Sequence, residues 1–395
     1  MARVIRQPPA QPFISFRFAL ALVTFTLWST DVMSPALPAI QDDFLLSAKA
    51  VGLTVSFFFL GRLLGNFPAA RFLDTAGSPR VASIGGLVMV LGSVTNAVAP
   101  NIEVLYAGRA LQGVGIALLV NAGLRSILSA RPGRGVAMTL YGIASTIGSV
   151  IGLQSSGLLT GSYGWRSIFV LSAMLGVVLT ILPIVSTSVA RRSLRPVEHT
   201  STVAGVIVPL RTYLAPLAIN FLVFCNYSIW VIVPLYAQRQ FDASPTATAN
   251  LLLIITITHL AAAVPVSRAI GRFGPSRVLV SSLLIAAAGS AGILLANSVW
   301  LLGLPLALYG AGMVGAVNSG GDIVLHRGGA GSRAVGSLRQ TSDLGLVIGP
   351  IVAGAIADAL SYSAPFVVFP FLMLVVVAGI VVPGGLGPRT VTENA

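Results

Sequence analysis

The stretch "PAARFLDTAGSPRV", Pro68 to Val81, closes one apolar run and opens another, and "PVSRAIGRFGPSRV", Pro265 to Val278, does the same 197 residues later. Pro68, Arg71, Gly77, Arg80 and Val81 map onto Pro265, Arg268, Gly274, Arg277 and Val278. The same offset carries Gly113, Gly115, Asn121 and Gly123 onto Gly310, Gly312, Asn318 and Gly320. It also carries Gly148, Gly152, Gly157 and Phe169 onto Gly345, Gly349, Gly354 and Phe366. Chance supplies glycine matches in a chain with 42 of them. It does not supply one offset shared by Gly, Pro, Arg and Asn over a hundred residues. The chain therefore reads as a parallel tandem repeat: residues 1–190, a polar linker over 191–210 containing "RRSLRPVEHTSTV", and residues 211–395.

Composition says what solvent the repeat is built for. Of 395 residues, 55% are hydrophobic and only 9% charged, where soluble domains carry about 25% charged residues. Scanning for about 20 apolar residues, the length that crosses a bilayer core, predicts twelve helices. They cover roughly 17–40, 50–70, 81–99, 103–128, 136–160, 167–189, 211–237, 246–267, 278–297, 299–325, 335–359 and 365–383. Unbroken apolar runs of this length exclude a barrel. The basic, apolar N-terminus continues past signal-peptide length and reads as the first span. The expected fold is thus an all-α membrane protein, twelve transmembrane helices in two six-helix bundles related by a pseudo-twofold axis.

The net charge of +13 is a topology signal and not a nucleic-acid one, because the basic residues are scattered singly. With the N-terminus inside, 19 of the 24 basic residues fall in cytoplasmic segments and 3 in outer ones. That imbalance predicts cytoplasmic termini in the cell's inner membrane. The two remaining arginines, Arg62 and Arg109, lie within spans. The single cysteine, Cys225, excludes an intrachain disulfide and a cysteine metal site. No Walker-type loop is present, and "SGGDIV" around Asp322 lacks the glycine of an intramembrane aspartyl-protease motif, so no enzyme activity and no cofactor are expected.

Four stretches resemble the major facilitator superfamily, and more narrowly its twelve-span drug:proton antiporters. "ARFLDTAGSPR" is similar to the loop signature after span 2 through Asp74, Gly77 and Arg80, although Ala70, Thr75 and Ser78 depart from it. "GRALQGVGIA" matches the span 4 pattern at Arg109, Gln112 and Gly113. "GSVIG" keeps Gly148 and Gly152 of the antiporter signature, with Ser149 where that family has proline. "DVMSPALPAI" is similar to the span 1 pattern of efflux members. The resemblance implies a monomeric secondary transporter of a small-molecule substrate, embedded in the lipid bilayer and driven by the proton gradient. It also implies a cytoplasmic gate in which Asp74 and Asp343 contact arginines such as Arg71, Arg80 or Arg134, near Gly77.

Ionisable residues inside spans face a cavity or a partner by default. By helix rise, Asp31 and Arg109 both lie about 10 Å from the outer face. The pair reads either as a static salt bridge or as a proton-coupling unit in which Arg109 holds Asp31. Arg62 and His259 are repeat mates at equal depth. They read either as a snorkelling arginine and a packing histidine, or as a site for anionic or zwitterionic cargo. Arg339 and Asp343, spaced i,i+4, suggest an intrahelical ion pair. Asn121 and Asn318 suit interhelical hydrogen bonds. Thr24, Trp28 and Asp31 form one helical stripe, and Asn220, Phe224 and Tyr227 another, with Trp230 one turn on. Together with Gln112 these are the expected cavity residues. The leading expectation is proton-coupled efflux of amphipathic drug-like molecules; the alternative is a carrier of an anionic or zwitterionic metabolite or lipid.

Overall fold

A computed structural model describes residues 12–129, 134–189, 214–328 and 332–381. Thirteen α-helices dominate it: α1 (Phe16–Asp31), α2 (Leu37–Asp43), α3 (Ala48–Ala97), α4 (Ile102–Ser129), α5 (Arg134–Tyr163), α6 (Arg166–Val185), α7 (Leu214–Cys225), α8 (Ile229–Phe241), α9 (Pro245–Phe273), α10 (Pro275–Gly292), α11 (Gly303–Gly328), α12 (Ser332–Ala359) and α13 (Pro365–Val381). Among the described residues, ten helical stretches are long and apolar enough to cross a membrane. Large apolar side chains such as Leu64, Met174, Leu304 and Phe371 stay exposed on the outside of the bundle. That is unfavourable in water and natural where the solvent is lipid. The chain is an integral membrane protein.

The repeat offset recurs in the local structure. Ser47 and Ser244, 197 residues apart, both cap a helix, accepting from the backbone N–H of Ala50 and Ala247 at 3.2 Å each. Gly77 and Gly274 both adopt positive φ, 77° and 82°, a conformation that costs a residue with a Cβ. Gly77 breaks the 50-residue α3 within its length. Gly148 and Gly152 of α5 abut the α1 backbone at Thr24 and Trp28, and their mates Gly345 and Gly349 of α12 abut α7 at Phe221 and Cys225.

Two expectations change. The first and seventh runs are broken helices. Asp31 ends α1 before a 3-10 turn at Ser34–Ala36, and a 3-10 turn at Asn226–Ser228 separates α7 from α8. Pro35 lacks the N–H needed to continue the first helix. The sixth run does not stay helical to residue 189. Pro183 sits in the last turn of α6, and the strand Thr187–Val189 pairs antiparallel with Pro12–Ile14, a short ladder in an otherwise all-α chain. Residues 190–213, which hold the linker, lie outside the described residues.

At the end of the bundle that carries α2, the two halves of the sequence interlock. The Asp358 carboxylate of α12 accepts from the backbone N–H groups of Ala48 and Lys49, at 2.7 and 2.9 Å, at the start of α3. The Gln41 amide donates to the Tyr362 hydroxyl at 2.9 Å, and the Gln238 amide to Asp42 at 2.9 Å. Within the first half, Arg166 pairs with Asp43 at 2.7 Å at the same end. A carboxylate at a helix N-terminus is favoured by the helix dipole and by the free N–H groups there, so Asp358 is well placed to fasten α12 to α3.

Candidate transport site

Asp31 is half-buried at the broken end of α1, and its carboxylate accepts a hydrogen bond from the Ser149 hydroxyl of α5. The glycines at 148 and 152 let α5 approach α1. Trp28 adds a second tie, its indole N–H donating to the Ser155 hydroxyl at 2.8 Å. Thr24 turns its hydroxyl to the Leu20 carbonyl at 3.1 Å. Ser149, a departure from the antiporter signature, is therefore the residue that holds the span 1 acid.

The expected pairing of Asp31 with Arg109 is not formed. Arg109 is 1% exposed and donates to the Gln112 side-chain carbonyl at 2.6 Å and to the Thr54 carbonyl at 3.4 Å, with its guanidinium carbon 4.3 Å from the Phe58 ring centroid. Gln112 in turn donates to Ser93 at 3.1 Å and Ser29 at 3.4 Å. The two residues form a polar knot between α1, α3 and α4. Helix rise fixes depth but not azimuth, and the shared depth of Asp31 and Arg109 says nothing about which way α4 turns its arginine.

The ion pair that does form joins α3 to α12: Arg62 to Asp343, Nη2 to Oδ1, at 2.5 Å. Asn66 donates to the other carboxylate oxygen of Asp343 at 3.2 Å. The Asn66 carbonyl accepts from Asn121 at 2.8 Å and from Arg339 at 3.3 Å. Arg62 also lies 4.7 Å from the Phe59 ring centroid. The expected Arg339–Asp343 pair is thus replaced, since Arg339 is exposed and turned to Asn66. Asp343 makes no gate contact with Arg71 or Arg80, both of which are exposed, because its carboxylate is 6% exposed and already engaged by Arg62 and Asn66. Asp74 pairs with Arg125 at 2.8 Å. Arg134 begins α5, and its side chain lies outside the described residues.

Aromatic residues of the second half complete the centre. Phe224 and Tyr227 stack with centroids 5.3 Å apart, and Tyr227 lies 6.1 Å from the His259 ring. His259 Nε2 is buried with no hydrogen-bond partner among the described residues. Trp230 is half-buried one turn on. Asp31 is within electrostatic reach of both Arg62 and Tyr227, so one region joins α1, α3, α5, α9, α12 and the Asn226–Ser228 turn. Asn220 does not line it. Its amide is spent on Thr341 at 2.9 Å and Ser342 at 3.0 Å, clamping α7 to α12. Sequence reasoning overlooked Ser149, Asn66 and Arg125 as partners. Only Ser149 carried a signal, the missing proline.

The profile of the Major Facilitator Superfamily matches residues 18–219 and 216–393. The chain belongs to this superfamily. Membership makes it a transporter and sets aside the enzyme readings. Similar proteins include the multidrug resistance protein Stp of Mycobacterium tuberculosis, 30% identical over 154 residues, which cover 38% of this chain and 29% of Stp. The arabinose-proton symporter of Escherichia coli is 30% identical over 172 residues, 43% of this chain and 36% of the symporter. The riboflavin transporter RibZ of Clostridioides difficile is 26% identical over 155 residues, 39% of this chain and 34% of RibZ. The matched segments thus span about a third of these relatives. The superfamily fold extends over nearly the whole chain. The nucleoside transporter NupG superposes with a TM-score of 0.74 at 14% identity, covering 92% of this chain and 97% of NupG. A bacterial homologue of the human lysosomal transporter Spinster, inward-facing and occupied, gives 0.74 at 15% identity, covering 94% and 95%.

Proposed function

We propose that this secondary transporter exports amphipathic, drug-like molecules in exchange for protons by alternating access. The observation that carries the reading is the state of Asp31: a carboxylate inside a membrane span, held by a serine hydroxyl and not by a cation. Such a group is costly when ionised and unpaired, which suits a residue that takes up and releases a proton as cargo comes and goes. In this reading α3 crosses twice about Gly77 and α13 supplies the twelfth span, giving two six-helix halves with cytoplasmic termini in the inner membrane of a monomeric carrier. Stacked Phe224 and Tyr227, with Trp28, Trp230 and His259 nearby, offer cargo an aromatic lining.

The alternative, an anion carrier built on Arg62 and His259, loses its main support because Asp343 already neutralises Arg62. Reconstituted protein with an imposed pH gradient, tested with cationic, neutral and anionic compounds, distinguishes the two. Gradient-dependent, saturable movement of cationic or neutral amphiphiles is expected. Movement of anions alone, indifferent to the gradient, defeats the proposal.

A further inference from the structure

Deepening the export reading and resting on it, we propose that Asp343 is the subsite for a positively charged group on the cargo, and that Arg62 is a built-in counter-ion which the cargo displaces. Three observations meet here. First, Asp343 is a carboxylate 6% exposed inside the bundle, and each of its oxygens holds a donor from α3: Arg62 Nη2 at 2.5 Å and Asn66 Nδ2 at 3.2 Å. Second, the displaced group has freedom to leave. Arg62 is 23% exposed, far more than its partner, and its guanidinium carbon also lies 4.7 Å from the Phe59 ring centroid. Third, a second acid is available to it: Asp31 on α1 is held by the neutral Ser149 hydroxyl, with no cation bonded to it among the described residues, and is close enough to feel the Arg62 charge.

Charge balance then dictates the exchange. The centre holds two carboxylates, Asp31 and Asp343, against the Arg62 guanidinium; the buried Arg109 of α4 is turned to Gln112 and the Thr54 carbonyl and bonds to neither acid. The groups around them are Ser149 and Tyr141 on α5, Tyr227 on the Asn226–Ser228 turn, His259 on α9, and Arg339 on α12, which is turned to Asn66 but exposed and so largely screened. A buried, uncompensated charge is expensive, so the empty centre is neutral when Asp31 carries a proton and Arg62 sits on Asp343. A monovalent organic cation that takes Asp343 releases Arg62, which moves to Asp31. The O–H bond of Asp31 breaks, its electron pair stays on the carboxylate oxygen, and the proton leaves to water. The centre is neutral again, with one cation gained and one proton lost. Arg62 thus links proton release to the loss of the α3–α12 ion pair, the contact that any rocking of the two halves must alter.

The test uses the full-length purified protein in detergent, with tetraphenylphosphonium as a permanent cation and chloramphenicol as a neutral amphiphile. Binding is followed by calorimetry and proton release by a pH dye in weak buffer. Wild type is expected to release one proton per tetraphenylphosphonium bound and none with chloramphenicol. Asp343→Asn should weaken tetraphenylphosphonium binding at least about tenfold more than it weakens chloramphenicol binding. Asp31→Asn should also weaken tetraphenylphosphonium binding and abolish proton release, because Arg62 has no second carboxylate to accept it. Adding Arg62→Gln to Asp31→Asn should restore both, with the proton now leaving Asp343. That rescue keeps the proposal testable if Asp343→Asn fails to fold. Wild-type affinity for tetraphenylphosphonium in Asp343→Asn, or no rescue in the double variant, overturns the subsite while leaving proton-coupled export standing. Absence of both binding and proton release in wild type overturns the subsite and the cationic form of the export reading together.

Discussion

Ser149 of α5 donates its hydroxyl hydrogen to the Asp31 carboxylate of α1, and the glycines at 148 and 152 are what allow the two helices to meet at that point. A proline at 149 would offer the acid no donor. The departure from the antiporter signature therefore has a chemical consequence: in this chain Asp31 is anchored by a neutral group from a neighbouring helix. Ser149→Ala removes that anchor with little loss of volume. Proton-driven export in proteoliposomes is expected to fall about tenfold, corresponding to about 1.4 kcal/mol, with helical content by circular dichroism retained.

Close approach of α5 to α1 sets a second expectation. A Cβ at Gly152 would lie 2.6 Å from the Trp28 carbonyl oxygen, whereas at Gly142 it would meet nothing within 4 Å. Gly152→Val should destabilise the protein by about 1–3 kcal/mol, and Gly142→Ala should not. Thermal melts of the two variants in the same detergent read the contrast.

Gly77 and Gly274 hold equivalent positive-φ bends, and space around Gly274 is open. Gly274→Ala therefore isolates backbone strain from packing. It should cost about 1–3 kcal/mol, seen as a lowered melting temperature without loss of helical signal by circular dichroism.

Asp358 fastens α12 to the first turn of α3. Asp358→Ala should loosen the α2 end of the bundle. Spin labels at the exposed positions Glu103 and Trp300, near that end on the first and second halves of the sequence, are expected to show a broader and longer distance distribution in the variant. An unchanged distribution would show that the other contacts at this end are sufficient.

Much of the architecture was legible because a bilayer writes its thickness into the chain as apolar runs, and because a duplicated unit repeats its helix caps and close contacts at one offset. The break in the seventh helix was not, whereas Pro35 marks the one in the first. Apolar periodicity does not register a 3-10 turn such as Asn226–Ser228, whose residues stay buried or half-buried in the same environment. At the site, Trp28, Asp31, Arg62, Tyr227 and His259 come together, whereas Arg109, Gln112 and Asn220 are engaged elsewhere. Their partners were another matter. Arg109 and Asp31 share a depth but not a direction, and Asp343 sits one turn from Arg339 yet bonds to Arg62, 281 positions earlier. Pairing across helices depends on azimuth and on inter-helix registry, neither of which a run of residue types contains.

Proton coupling in the proposed exchange turns on Asp31 as the proton carrier. Its most direct test is export of a cationic amphiphile from proteoliposomes containing wild type or Asp31→Asn, with and without an imposed pH gradient. Wild type should be accelerated by the gradient, and Asp31→Asn should transport at one rate whether the gradient is present or not. Gradient-driven acceleration of equal size in Asp31→Asn would contradict the account.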